Sequence, residues 1–313
     1  METISPHLSV SLIKSLSSLL VSKMPIDKAE WEGYFDESGH LVKSRDFISS
    51  NILDRGLDPA VRSEAWKFLT GYYSWRSSHD ERLTVDSIKR YGSICLQCPS
   101  ISGSRRYTGE ADEYQQGFHE MLLLFQLLVE KEHEVYWLFQ FFLQKTEHSC
   151  VVNIGVGKNL IMLKAVIAFM DPIFAKHLEG KSRVVQSLFP WFCLFFQQVF
   201  KSFDDVWRLW EVFLMGMPCR NFQVIVAYTM LQSVRDQILR ENMGGDDILM
   251  VCGNIIDLDA DELISKACSM YKLLMEHKDK VTDRDLCCRN GRAGRIISSV
   301  SHPAPFLHRS QMS

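Results

Sequence analysis

The chain has 313 residues, of which 46% are hydrophobic, and it carries a formal net charge of −3. This length and apolar content are sufficient for one large domain with a sizeable core. The small net charge excludes the strongly basic field that general nucleic-acid binding requires, so we expect no nucleic-acid partner.

Cysteine placement and apolar runs indicate a cytoplasmic protein without a transmembrane segment. Nine cysteines are scattered without a disulfide framework, which is typical of reduced thiols in the cytosol. The Cys95-x-x-Cys98 pair has no second pair, so incidental thiols are favoured over a zinc site or a redox pair. We expect no bound metal. No apolar run approaches the ~18 residues of a membrane span, and Lys14 interrupts the region that could form a signal peptide.

Residues 1–30 form an extension ahead of the main domain. Apolar residues at helical spacing predict a short amphipathic helix; they are Leu8, Leu12, Ile13, Leu16, Leu19 and Leu20. This helix could dock on the domain or on a partner, or the segment could be only partly ordered. The sequence changes in character at Trp31, and we place the start of the domain there.

A helix with clear start and stop signals is predicted over residues 59–70. Asp58 suits an N-cap, Pro59 takes the first helical position, and Gly71 closes the helix. A second helix is predicted over residues 81–91. Residues 92–113 then mix Gly, Ser, Pro and scattered charge, without the periodicity that sustains a helix.

Helical periodicity resumes after Tyr114-Gln115-Gln116-Gly117, where apolar residues recur on one face through Leu128. Further helices are predicted over residues 135–142, 160–170, 187–200, 203–213, 222–239 and 261–275. Residues 278–313 differ, because seven basic and three acidic side chains accompany frequent Ser, Gly and Pro without an apolar period. This composition favours a basic, disordered tail.

Three ordered motifs resemble the TBC domain, the Rab GTPase-activating fold. In chain order they are Arg62-x-x-x-Trp66 with Gly71, then Tyr114-x-Gln116-Gly117, then the Trp191 segment followed by Arg208-x-Trp210. Glu211 stands where the family usually has aspartate. The resemblance covers about residues 31–277 and implies an all-α, multi-helix TBC domain.

The resemblance implies roles for individual residues. In the family the YxQG glutamine enters the nucleotide site of a partner GTPase, so Gln116 is the candidate catalytic residue and Tyr114 and Gly117 are candidates for Rab binding. A carboxamide can donate to and accept from the attacking water at once. The remaining motif residues are expected to be structural: Arg62, Trp66, Gly71, Arg208 and Trp210. The chain needs no cofactor of its own, since the partner binds Mg-GTP.

One part of the family pattern is missing. The family's catalytic arginine lies in an I-x-x-D-x-x-R helix upstream of YxQG, and Ile, Asp and Arg do not occur at that spacing here. The nearest upstream pattern is Leu83-x-x-Asp86-x-x-Lys89, and Arg105-Arg106 is the other candidate. We expect the segment that carries the arginine to be deleted or replaced within residues 92–113.

An arginine finger contributes about 10³- to 10⁵-fold in rate, or roughly 4–7 kcal/mol. The sequence therefore predicts a weak Rab GTPase-activating protein. The alternative is a non-catalytic adaptor that binds a GTP-loaded Rab or cytoskeletal proteins, and a poorly folded domain is a third possibility. The resemblance implies a cytoplasmic protein at vesicle membranes in vesicle trafficking. Its closeness to a germ-cell branch of the family implies the acrosomal vesicle or the cytoskeleton in spermatogenesis.

Overall fold

The computed structural model describes residues 24–97, 117–148, 155–181 and 184–285. These residues form fourteen α-helices and one short 3₁₀-helix. The first seven helices are α1 (Lys28–Glu32), α2 (Arg45–Arg55), α3 (Pro59–Thr70), α4 (His79–Gln97), α5 (Phe118–Leu128), α6 (Glu132–Lys145) and α7 (Val156–Met170). The others are α8 (Pro172–Glu179), α9 (Val184–Ser187), α10 (Phe189–Cys193), the 3₁₀-helix (Gln197–Val199), α11 (Phe203–Met215), α12 (Phe222–Arg240), α13 (Gly245–Gly253) and α14 (Ala260–Asp285).

The prediction of an all-α fold is confirmed. Within the described ranges the extended pairing is limited to two isolated bridges, Ile26 with Leu57 and Phe35 with Leu41. Each described helix is also too short or too polar to span a bilayer. In the same ranges, no three His, Cys, Asp or Glu side chains converge on a metal position.

Local signals set the ends of several helices. The Asp58 carboxylate accepts a hydrogen bond from the Ala60 N–H, and Pro59 begins α3. Gly71 ends α3 in the left-handed region, with φ +90°. Asp171 ends α7, and its carboxylate accepts from the Phe174 N–H at the start of α8. These ends agree with the sequence because each depends on residues adjacent in the chain.

One helix prediction was wrong. A helix was expected from residue 187 to about Phe200, but α10 ends at Cys193 and only a 3₁₀ turn follows. Phe195 and Phe196 both adopt positive φ, at +47° and +62°. A left-handed backbone is incompatible with a continuing right-handed helix, so the chain turns here.

Stacked aromatic rings form the centre of the core. Trp66 of α3, Phe125 of α5, Phe142 of α6 and Trp210 of α11 are each less than 2% exposed. Their ring centroids lie 4.8–6.5 Å apart, at the distances favoured for aromatic pairs. Four helices that are distant in sequence are therefore joined at one point, and α5 is held against that point.

Ion pairs beside this core fix α3 against α11. Arg62 Nε donates to Glu211 Oε1 at 2.8 Å, and Trp66 Nε1 donates to the same oxygen at 3.3 Å. Arg208 Nε donates to Asp261 Oδ1 at 2.7 Å and thereby ties α11 to α14. Burial raises the pKa of the Glu211 carboxyl, although the Arg62 charge opposes the shift. The motif residues Arg62, Trp66, Arg208 and Trp210 thus all lie in the packing of the bundle.

The structure extends past both predicted domain edges. Ile26 is fully buried, and its N–H donates to the Gly56 carbonyl, so ordered packing begins before residue 31. The last helix runs to Asp285, beyond the expected end at residue 277. The predicted amphipathic helix between Leu8 and Leu20 and the tail beyond residue 285 lie outside the described residues.

Candidate functional site

The candidate site lies at the start of α5, where Gly117 has φ +96°. A β-carbon at this position would lie 2.5 Å from Leu194 Cδ2. Glycine is therefore favoured twice, by the left-handed backbone and by the close neighbour. Gln116 and Tyr114 lie outside the described residues.

A strained turn at Phe195 and Phe196 follows Leu194, the residue that approaches Gly117. Phe195 and Phe196 hold positive φ angles, which cost about 1–3 kcal/mol for each non-glycine residue. Buried contacts maintain the turn, because Trp210 Nε1 donates to the Phe195 carbonyl at 2.8 Å and Phe213 packs on both rings at 5.9 Å. Since Leu194 precedes this turn, the aromatic core determines how closely it approaches Gly117.

A cleft of about 160 Å³ opens beside the same helix end. Glu120, Gln197, Lys201 and Phe203 are among the residues that line it. Phe203 is 44% exposed, and the buried Gln197 Oε1 accepts no hydrogen bond within the described part of the chain. The cleft therefore offers the exposed apolar surface of Phe203 to a partner molecule.

His148 is a further residue of the site, which the sequence reasoning missed. It is buried between Phe118 and Phe195, with ring centroids 6.0 and 4.7 Å away. Its Nε2 has no hydrogen-bond partner within the described ranges. His148 thus contacts both the first residue of α5 and the strained turn. No sequence signal places it there, because the contacts span 30 and 47 residues.

Lys89, the nearest equivalent of the family's arginine, lies in an aromatic cage. Its Nζ is 4.1 Å from the ring centroid of Phe141 and 4.8 Å from those of Tyr72 and Trp137. Burial lowers the pKa of this amine to about 8. Asp86, one turn earlier, accepts from the Tyr73 hydroxyl at 2.9 Å. These contacts bind the Leu83-x-x-Asp86-x-x-Lys89 pattern into the packing of α4 on α6.

The described arginines near the core and the site also form ion pairs. Arg62 and Arg208 are buried in the ion pairs given above. Arg220 follows α11 and forms an ion pair with Glu147, the residue before His148. Arg105 and Arg106 lie outside the described residues.

This helical bundle, with its YxQG glycine at the start of a core helix, defines a Rab-regulator class of domain. A family model described as the Rab-GTPase-TBC domain matches residues 106–239. The chain is 56% identical over 333 residues to TBC1 domain family member 21 of Homo sapiens, covering 91% of this chain and 99% of that protein. The mouse protein of the same name is 56% identical over 324 residues, covering 88% and 96%. The chain belongs to the Rab-GTPase-TBC domain family.

More distant proteins share the fold. The crystal structure of the Ypt/Rab-GAP domain of Gyp1p superposes with a TM-score of 0.63 at 14% identity, covering 78% of this chain and 97% of that one. The Chlamydomonas flagellar RabGAP TBC domain gives a TM-score of 0.54 at 15% identity, covering 84% and 94%. The GTPase-activating protein GYP7 of Yarrowia lipolytica is 23% identical over 314 residues, covering 77% and 43%.

In the alignments with the two 56% identical relatives, some positions of each relative face gaps in this chain. The human relative aligns over 333 residues, whereas 91% of this 313-residue chain is about 285 residues, so about 48 aligned positions face a gap. The mouse relative gives about 49 by the same arithmetic, 324 against 88% of 313.

Proposed function

We propose that this protein is a GTPase-activating regulator of a Rab-family GTPase and that its catalysis is weak. Membership of the Rab-GTPase-TBC family supports the partner class, and a relative named as a GTPase-activating protein supports the activity. The single observation that carries the proposal is Gly117, held at φ +96° against Leu194. It supports a fixed start of α5 directly after the YxQG glutamine in the sequence.

In this proposal the chain supplies a carboxamide, and the partner supplies Mg-GTP. Gln116 donates one hydrogen bond to the γ-phosphate region and accepts one from the attacking water, which holds the water in line for displacement. Tyr114 and Gly117 contact the Rab beside this position. The cleft lined by Glu120 and Phe203 gives the GTPase surface a docking point next to the reacting groups.

Weak catalysis follows from the missing arginine. A finger arginine contributes about 10³- to 10⁵-fold because its planar fork meets the charge on the transferring phosphoryl group. Lys89 is packed among three rings, and the gap in the alignments supports loss of the segment that bears the arginine. The remaining contributions leave an expected acceleration of about 10- to 100-fold.

A non-catalytic adaptor is the second candidate function. The caged Lys89 and the engaged Arg62 and Arg208 favour it, because these described cations are committed to packing or ion pairs. Such a protein binds a GTP-loaded Rab, or cytoskeletal proteins, without accelerating hydrolysis. Either function is proposed to act in the cytoplasm at vesicle membranes, with the acrosomal vesicle as the germ-cell setting.

Single-turnover GTP hydrolysis across a panel of Rabs separates the two functions. Acceleration that is lost in Gln116→Ala supports the regulator, with Gln115→Ala as the matched control one residue away. Nucleotide-dependent binding without acceleration supports the adaptor. Absence of both acceleration and GTP-dependent binding across the panel contradicts both proposals.

A further inference from the structure

Helices α7 and α8 present an outward surface on which lysines and exposed isoleucines are interspersed. We call it the lysine face and define it by Lys158, Ile161, Lys164, Ile173 and Lys176. The two isoleucines are 53% and 64% exposed, and the three lysines are exposed as well. Each lysine is three residues from an isoleucine on the same helix, a spacing that places their side chains on one side.

The two helices pack against each other. They meet at Asp171 and lie side by side along a shallow groove, with Ile167 and Leu178 among its lining residues. On their opposite sides, Leu163 and Phe174 are fully buried. Because both helices cover one core, the exposed side of each faces away from that core.

The charge of this surface is unbalanced. Residues 155–181 contain four lysines and two acidic residues. One of these, Asp171, is neutralised by ion-pair contact with Arg235 of α12. Glu179 is then the single acid left against four lysines in a chain whose overall charge is −3. These helices therefore carry a local excess of positive charge.

The lysines of this face also lack ion-pair partners. Within the described ranges Lys158, Lys164 and Lys176 make no ion pair. Three other exposed lysines are paired with a glutamate three or four residues away: Lys28 with Glu32, Lys131 with Glu134 and Lys266 with Glu262. Since the three ammonium groups are not neutralised locally, they are available to an external anion.

We propose that the lysine face binds the surface of an anionic membrane. Lysine side chains lie along such a surface with their ammonium groups at the lipid phosphates and carboxylates. Exposed isoleucines among them enter the boundary between headgroups and acyl chains. An acidic protein or a nucleic acid would satisfy the lysines but would leave Ile161 and Ile173 without a role. The proposal is independent of the GTPase chemistry.

Co-sedimentation of the full chain with vesicles tests this proposal. Vesicles of phosphatidylcholine alone are compared with vesicles that also contain phosphatidylserine, and binding is expected only to the second kind. The triple variant K158Q/K164Q/K176Q is expected to bind about 100-fold more weakly, because each lysine near an anionic surface contributes about 5-fold. The matched control K28Q/K131Q/K266Q removes the same charge elsewhere and is expected to bind within a few-fold of the unchanged chain.

The isoleucines distinguish a membrane from other anionic partners. I161S/I173S is expected to bind about 10-fold more weakly and to lose its remaining binding at high salt. Circular dichroism checks that each variant is folded. Absence of phosphatidylserine-dependent binding overturns the proposal. Unchanged vesicle binding by I161S/I173S also overturns the proposal, because the lysines would then be assigned to an acidic protein. If R289Q/R292Q/R295Q loses binding and the lysine variant does not, the membrane binding belongs to the tail, and the proposal is overturned.

Discussion

Replacing Gly117 by alanine tests how the start of α5 is held. At φ +96° the left-handed backbone conformation costs an alanine about 1–2 kcal/mol. Its β-carbon would also lie 2.5 Å from Leu194 Cδ2, well inside the ~3.5–4.0 Å at which carbon atoms attract. Overpacking of this kind adds about 1–3 kcal/mol. Gly117→Ala is therefore expected to lower the free energy of unfolding by about 2–5 kcal/mol in total.

Gly71 provides a matched control within the same protein. It has φ +90°, and an added β-carbon there meets no atom within 4 Å. Gly71→Ala is therefore expected to lower the free energy of unfolding by the backbone cost alone, about 1–2 kcal/mol. The difference between the two variants isolates the contact with Leu194. Leu194→Ala removes the obstructing methyl groups, so in a double-mutant cycle it should recover part of the loss in Gly117→Ala.

Urea unfolding followed by circular dichroism measures these free energies. We expect one cooperative transition for the unchanged chain, since its helices share a single aromatic core. The transition midpoint should fall further for Gly117→Ala than for Gly71→Ala, at constant slope. Equal losses for the two variants, or no coupling to Leu194, would refute the argument that this contact fixes the start of α5.

Three further predictions concern packing and charge. Lys89→Gln should destabilise the fold by about 1–2 kcal/mol through the lost cation–π contacts and change any GTPase acceleration less than 3-fold. A fall of the acceleration to the intrinsic rate of the Rab in a folded variant would identify Lys89 as a finger after all. Arg62→Ala should lower the free energy of unfolding by about 3–5 kcal/mol in thermal or urea unfolding, because the buried Glu211 loses its partner. Adding Glu211→Ala should restore part of this stability. Absence of any restoration would contradict the pairing. Hydrogen bonds from Arg55 hold the pKa of Glu30 below its usual value, so Glu30→Gln should cost about 1 kcal/mol above pH 5. That cost should vanish as the pH falls through the lowered pKa in the unchanged chain, and a cost that does not vary with pH would count against the ion pair.

Sequence reasoning succeeded where neighbouring residues decide the structure. Asp58, Pro59 and Gly71 bound α3 as expected because capping is a local interaction. The predicted end of a helix at residue 170 agrees with α7, which stops at Met170 before Asp171 and Pro172. The all-α fold followed from apolar periodicity, which also depends only on nearby positions.

Other features of the site depend on residues that are distant in the chain. Leu194 approaches Gly117 across 77 residues, and the left-handed turn at Phe195 is maintained by Trp210 and Phe213. The apolar pattern of residues 187–200 cannot reveal this turn, because the same residues are compatible with a continuous helix. The position of His148 likewise follows from packing rather than from spacing.

The rate of single-turnover GTP hydrolysis by a responsive Rab, measured with saturating protein, tests the central claim most directly. We predict an acceleration of about 10- to 100-fold that falls to the intrinsic rate of the Rab in Gln116→Ala and is retained in Gln115→Ala. An acceleration that survives Gln116→Ala would contradict the assignment of this carboxamide to the partner's nucleotide site.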